Sequence, residues 1–223
     1  DKVSEDIQNV PQTQTPTFEL SNDKTAKITS KKLVDPATGQ PTDETTVTVE
    51  GEGTYSIDPT TGAVTFTPEK DFVGTAKGVK VQATATVTNA NGKTATITSD
   101  ASYTPTVKAA VPTADPATSK DIQGATQTGK PTFAGTTVSV NGEDKEITIK
   151  DNSYKLLDKD GNEVSTTTAY AEDGTTPIGT FTIDPATGTV TFTPTDKSYT
   201  GKVTPVKVQA ESSNGIKVDT TYT

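Results

Sequence analysis

The sequence predicts an all-β chain: two tandem β-sandwich repeat domains, each of two sheets, joined by a short extended linker. Three observations carry that prediction. Apolar and polar residues alternate with period two, and nothing recurs at helical spacing, so successive side chains fall on opposite faces of strands. Long blocks are written twice: residues 53–68, GTYSIDPTTGAVTFTP, return at 179–194 as GTFTIDPATGTVTFTP. Finally, 49 of the 223 residues are Thr, whose branched Cβ favours extended backbone and whose methyl covers a half-buried sheet while the hydroxyl faces water.

The duplication sets the domain organisation. The offset is 126 for the long block and 127 for Val79-Lys80-Val81-Gln82-Ala83 against Val206-Lys207-Val208-Gln209-Ala210. It is 115 upstream, where DIQNVPQTQTPTF at 6–18 is echoed by DIQGATQTGKPTF at 121–133. Downstream it is 123 for Asn91-Gly92 against Asn214-Gly215, and 119 for Tyr103-Thr104 against Tyr222-Thr223. Fixed blocks at changing offsets mean constant strands with variable loops between them. The first copy is read as residues 1–107, the second as 121–223. Residues 108–120, KAAVPTADPATSK, carry the Pro, Ala and Thr of an extended connector. The second copy stops where the first continues as Pro105-Thr106-Val107, so the fragment is expected to end within or just after its last strand.

Taken in order, an early strand of the first copy is placed around Thr46–Glu50. Tyr55 and Ile57 then alternate with Thr54 and Ser56, and Val64 and Phe66 with Thr65 and Thr67, which makes a hairpin. Its turn, Asp58-Pro59-Thr60-Thr61-Gly62, sets Pro at its preferred φ and Gly where φ turns positive, with the Asp58 carboxylate as cap. Val79, Val81, Ala83, Ala85 and Val87 share one face of a second hairpin, which turns at Asn91-Gly92 and returns through Ala95 and Ile97. In the second copy strands are placed at Val138–Val140 and Ile147–Ile149. Asp184-Pro185-Ala186-Thr187-Gly188 repeats the first turn, and Val206–Ala210, Asn214-Gly215, Ile216 and Val218 repeat the second hairpin. Roughly seven strands per copy point to an Ig-like two-sheet sandwich.

Composition excludes much chemistry. There is no His, Cys, Met, Trp or Arg, hence no Ser-His-Asp triad, no Cys-His pair and no nitrogen/sulfur zinc site. A net charge of -9 repels nucleic acid. Leu, Ile, Val and Phe make up 40 residues of 223, so the cores are expected to be thin, with Thr methyls and Ala filling in. No stretch reaches the length of an apolar membrane span, and Asp1-Lys2-Val3 is not the start of a signal peptide, so the chain reads as an excised piece. The absence of Cys fits a reducing cytosol or an exposed bacterial surface and does not choose between them.

Catalytic, cofactor and metal sites are all expected to be absent. Asp158-Lys159-Asp160-Gly161-Asn162-Glu163 offers oxygens at alternate positions, but its Gly is fourth, not sixth as in a calcium-binding EF-hand loop, and Asp35-Pro36-Ala37-Thr38-Gly39 looks like the same turn. The pairs Glu50/Glu52 and Glu69/Asp71 lack the aromatic platforms a glycosidase needs. Of 12 aromatic residues, ten fall in matched pairs: Phe18/Phe133, Tyr55/Phe181, Phe66/Phe192, Phe72/Tyr199 and Tyr103/Tyr222. Such recurrence fits a core. Tyr154 and Tyr170 are unpaired; Tyr154 is read as strand packing and Tyr170 as part of a polar loop. An autocatalytic Lys–Asn or Thr–Gln cross-link needs burial beside a neutral carboxyl, and the recurrent Lys80/Lys207 alternates with core-facing Val and so points outward.

The blocks resemble the CshA-type fibril repeats of streptococcal and other Gram-positive cell-wall-anchored surface adhesins. The resemblance rests on Asp121-Ile122-Gln123-Gly124 with Gln127-Thr128-Gly129-Lys130-Pro131-Thr132-Phe133, on GTFTIDPATGTVTFTP, on the Val-Lys-Val segment, on Tyr103-Thr104-Pro105-Thr106-Val107, and on the connector Val111–Ser119. It implies a non-enzymatic spacer, located extracellularly on the bacterial cell surface. In the parent adhesin, neighbouring repeats form a fibril carrying a separate binding region in adhesion and biofilm formation, contacting a host or bacterial surface ligand without nucleic acid or membrane insertion. The alternative is a repeat that itself binds a host protein or glycan through variable loops, chiefly residues 158–178.

Overall fold

Every regular element among the described residues is a β-strand. The fold is given by a computed structural model that describes residues 1–20 and 24–223. Two compact units divide it: Asp1–Ala109 with Ser139–Asp144, and Ala110–Val138 with Lys145–Thr223.

In the first unit the strands are β1 (Lys2–Ile7), β2 (Gln12–Gln14), β3 (Lys27–Val34), β4 (Thr46–Val49), β5 (Gly53–Ile57), β6 (Val64–Pro68), β7 (Gly74–Thr75), β8 (Val79–Thr88) and β9 (Thr94–Lys108). One sheet runs β1-β9-β8-β3 with β7 also on β9, the other β2-β6-β5-β4. The predicted hairpins are β5–β6, with Tyr55 opposite Phe66, and β8–β9, with Thr88 opposite Thr94. β1 lies parallel to the far end of β9, pairing Lys2–Ile7 with Tyr103–Lys108. Between the sheets Leu33, Tyr55, Val64, Phe66, Val79, Val81, Tyr103 and Val107 form one buried cluster.

The second unit follows with β10 (Thr113–Asp115), β11 (Gln127–Gly129), β12 (Thr132–Ala134), β13 (Thr136–Val140), β14 (Glu143–Ile147), β15 (Lys155–Leu157), β16 (Glu163–Val164), β17 (Thr166–Tyr170), β18 (Pro177–Ile183), β19 (Val190–Pro194), β20 (Val206–Glu211) and β21 (Lys217–Tyr222), the adjoining ends of β13 and β14, within Ser139–Asp144, counting with the first unit. Its sheets run β16-β15-β20-β21 and β11-β19-β18-β17, with the pairs β10–β12 and β13–β14 beside them. Leu156, Phe181, Val190, Phe192, Val206, Val208 and Tyr222 fill its core. Leu33 faces Val81 in the first unit and Leu156 faces Val208 in the second, so this pair is repeated in the two cores. The chain is all-β and made of two-sheet units.

The stretch read as connector carries pairing of its own. Residues Thr113–Asp115 pair with Thr132–Ala134. Ala117 bridges Tyr222 in parallel, its N–H donating to Thr221 O at 3.0 Å while Ser119 N donates to Thr223 O at 2.9 Å. This is the pairing that β1 makes with β9. Tyr170 also differs from its expectation: it closes strand β17 opposite Pro177 at a bulge, because its side chain is half-buried and Thr204 N donates to its carbonyl.

Candidate functional site

The most organised polar cluster in each unit is a clasp between its two sheets. Ser4 on β1 donates from Oγ to Gln12 Oε1 on β2 at 2.5 Å and lies 2.7 Å from the Tyr103 hydroxyl on β9. A Ser hydroxyl has one proton, so Tyr103 donates to Ser4 and Ser4 to Gln12. The Gln12 amide then donates through Nε2 to Thr106 O at 2.9 Å. The second unit repeats it, with Ser119 Oγ 2.6 Å from Gln127 Oε1 and 2.8 Å from the Tyr222 hydroxyl. Burial pushes the hydroxyls of Tyr103 and Tyr222 up from the ordinary phenol value, against the pull of the Ser contact. Neither neighbour of Ser4 is a base, so the arrangement fastens sheets and gives the hydroxyl no route to act as a nucleophile.

Carboxylates are used as turn caps. Asp58 Oδ1 accepts Thr60 N at 2.8 Å and Thr61 N at 3.3 Å, and its counterpart Asp184 accepts Ala186 N at 2.9 Å. These backbone donors hold both carboxyls below the usual carboxylate range. Gly62 and Gly188 close the turns with φ of +79° and +74°, a region where a Cβ is strained. Side chains cover both glycines: Lys31 lies over Gly62, and in the second unit Tyr154 over Gly188. Tyr154 also meets Phe133, ring centroids 5.7 Å apart. That contact accounts for the unpaired Tyr154 as packing.

In the Asp158 loop, Oδ1 accepts Asp160 N at 2.9 Å and Asn162 N at 2.8 Å, and Asn162 Nδ2 reaches Oδ2 at 3.1 Å. The Asn162 amide is the main cause of a lowered Asp158 pKa. The oxygens a calcium ion would need are turned onto the loop's own donors, and Asp35 caps the matching turn by accepting Ala37 N at 2.8 Å. Among the described residues no three carboxylates gather in a metal-binding group. Glu69 accepts Gly51 N at 3.2 Å, which ties two loops.

Glu52 is the one buried carboxylate among the described residues, 8% exposed. Its Oε2 accepts Lys77 N at 3.0 Å, and Lys77 Nζ lies 3.7 Å from Oε1. The same place in the second unit holds Ile178, 1% exposed. Lys80 and Lys207 face solvent, as the alternation requires. Sequence reasoning missed the clasp, although Ser4/Ser119 and Gln12/Gln127 share the offset of 115.

A search among curated proteins finds no match to the chain. Among solved structures, the EC1-4 repeats of Drosophila N-cadherin align over 99% of this chain and 47% of theirs at 12% identity and TM-score 0.25. A tetra-tandem repeat in the extending region of a large adhesion protein aligns over 99% and 48% at 16% identity and TM-score 0.24. EC21-23 of human CDH23 aligns over 99% and 70% at 13% and 0.23. The chain thus spans about half the length of the first two; at such scores the likeness carries no argument. The family match is different in kind, because it repeats along the chain as the clasps and cores do. Matched over residues 1–107 and again over 109–223 by the family described as the surface adhesin CshA repetitive domain, the chain belongs to that family and carries two of its repeats.

Proposed function

We propose that the two repeats are non-catalytic spacers that extend a surface adhesin and carry a separate binding region away from the cell wall, in adhesion and biofilm formation. The observation that supports this most is that a polar set withdrawn from solvent between the sheets recurs in both units as a fastening: Ser4, Gln12 and Tyr103 in one, Ser119, Gln127 and Tyr222 in the other. A spacer needs a fold that can be repeated, with little demand on chemistry. Each folded unit of this size adds on the order of 35 Å of reach, and tandem copies add length almost linearly.

The rival reading, recognition through residues 158–178, loses its main supports. Tyr154 packs over Gly188, and Tyr170 belongs to β17. The test is a series of parent adhesins with fewer or added copies of this pair, displayed on cells. Fibril reach should change with copy number while affinity for the receptor, measured on purified parent, stays constant. Binding of the purified two-repeat chain to host protein, glycan or bacterial cells as tightly as the parent would overturn the spacer reading.

A further inference from the structure

In the first unit, β1 and β9 lie side by side and parallel, Lys2–Ile7 standing opposite Tyr103–Lys108 in unbroken register. The beginning of β1 is beside Tyr103 and the end of β9 is beside Ile7. A pull on Asp1 and Ala109 therefore draws the two strands past one another along their ladder, and residues 8–102 stand outside the line of load. β1 is at the edge of its sheet with β9 as its neighbour, so this one ladder ties it into the sheet.

The same ladder gathers side-chain fastenings along its whole length. At its start Ser102 N donates to Asp1 Oδ1 at 2.8 Å, and just past its end Gln8 N donates to Lys108 O at 3.0 Å. Between them the Tyr103 hydroxyl holds Ser4 at 2.7 Å, and Lys108 Nζ lies 2.8 Å from Glu5 Oε1. Gln12 accepts from Ser4 at 2.5 Å and donates to Thr106 O at 2.9 Å, which braces both strands against the second sheet. Ile7 and Val107, 3% and 1% exposed, bury the far end, where hydrogen bonds meet little competition from water.

We propose that the first unit is a load-bearing module in which β1 and β9, fastened through Ser4, Gln12 and Tyr103, form a clamp that resists tension by shear. A hydrogen bond is lost once its heavy atoms part beyond about 3.5 Å, so a slide of roughly 1 Å along the ladder has to break its bonds together. Peeling the strands apart from one end breaks them singly. In shear the bonds share the load, and in peeling each carries it alone. The difference acts on the rate of unfolding, which governs failure under force. The inference rests on the spacer reading for the origin of the tension, between a cell wall and a bound receptor. The clamp itself belongs to one unit: its failure would leave the spacer standing, and a receptor found on the repeats would leave the clamp standing.

The test holds single molecules of the full chain in optical tweezers. There is no Cys in the sequence, so introduced thiols decide where the handles attach. Handles on a Cys added ahead of Asp1 and on Ala109→Cys load the ladder in shear. Handles on Pro11→Cys and Ala109→Cys, both exposed positions, open it from the Ile7–Lys108 end. The unfolding force should be at least roughly twofold higher in shear than in peeling. Ser4→Ala should lower the shear force by roughly 1.5-fold and leave the peeling force nearly unchanged. Leu33→Ala, which leaves every ladder partner in place, should cost more in a thermal melt yet lower the shear force less than Ser4→Ala does. Equal forces in the two directions would overturn the proposal, and that comparison depends on neither variant folding. Shear forces of the two variants that follow their melting temperatures would overturn it as well, because overall stability, not the clamp, would then set the force.

Discussion

Tyr55 and Phe181 hold the same place in their units, opposite Phe66 and Phe192, and differ by one hydroxyl. The Tyr55 hydroxyl is buried and makes no full hydrogen bond among the described residues, the Gly78 backbone acting on it as a weak donor only. Burial, and secondarily the Glu52 carboxylate, push its ionisation far above the ordinary phenol range. An unsatisfied buried hydroxyl costs stability, so Tyr55→Phe should leave the first unit as stable or raise it by about 1 kcal/mol. Tyr103→Phe should do the opposite. It removes the donor to Ser4 and should lower stability by roughly 1–2 kcal/mol, with Tyr222→Phe matching it in the second unit. Thermal melts of the three variants check this; a loss in Tyr55→Phe as large as in Tyr103→Phe would refute the distinction. High pH should act through the same clasps. Their phenols are raised by burial, so the stability they lend is fully present below the ordinary phenol pKa and is lost as pH rises through the folded values. The core role of these aromatics was legible because they recur at alternating positions. The clasp was not, since Ser4 and Tyr103 are 99 residues apart and polar residues give no periodic signal.

At the scale of elements, the hairpins were legible because strand, turn and returning strand are contiguous and each turn carries its own chemistry, Asp-Pro with Gly in one and Asn-Gly in the other. Strand β3 was not. Its pairing slips between Ile28 and Ser30, so the period breaks within the strand. β1 and Ala117–Ser119 are polar and find their partners only at the far end of each repeat, which local alternation cannot report. The Asp-capped turns make the elements sensitive to acid. Backbone amides lower Asp58, Asp158 and Asp184, Ser198 lowers Asp196, and the Thr176 hydroxyl and amide bring Asp173 to about 2. These depressed carboxyls lend stability that is present above the ordinary Asp value near ~3.9. It is lost as pH falls through the folded values. Melting temperature should therefore hold steady down to about pH 5 and fall between about pH 4 and 2. Asp173→Asn, which keeps an acceptor oxygen but no titrating proton, should flatten part of that fall. An acid limb identical in wild type and in a variant with all five Asp changed to Asn would show that the turns play no part.

For the whole molecule, the two cores share no residue: one is built on Leu33, Tyr55, Phe66 and Tyr103, the other on Leu156, Phe181, Phe192 and Tyr222. With 40 large aliphatic and Phe residues in 223, neither core has a surplus, and each cluster holds a single buried Leu. Leu33 and Leu156 are both fully buried and occupy equivalent places against Val81 and Val208. Truncating either to Ala removes apolar contact and leaves a cavity, at a cost of about 2–5 kcal/mol. That is a large share of what a domain this small holds. If each repeat is stabilised by its own core, Leu156→Ala in the full chain should strip exchange protection from the amides of β18–β21 and leave those of β5, β6 and β8 unchanged. Leu33→Ala should give the mirror image. Amide exchange read by NMR on the intact chain separates the two sets. Loss of protection in both sets from either single substitution would mean that the repeats fold as one cooperative body, and a chain built to be lengthened by adding copies would then need a different physical account.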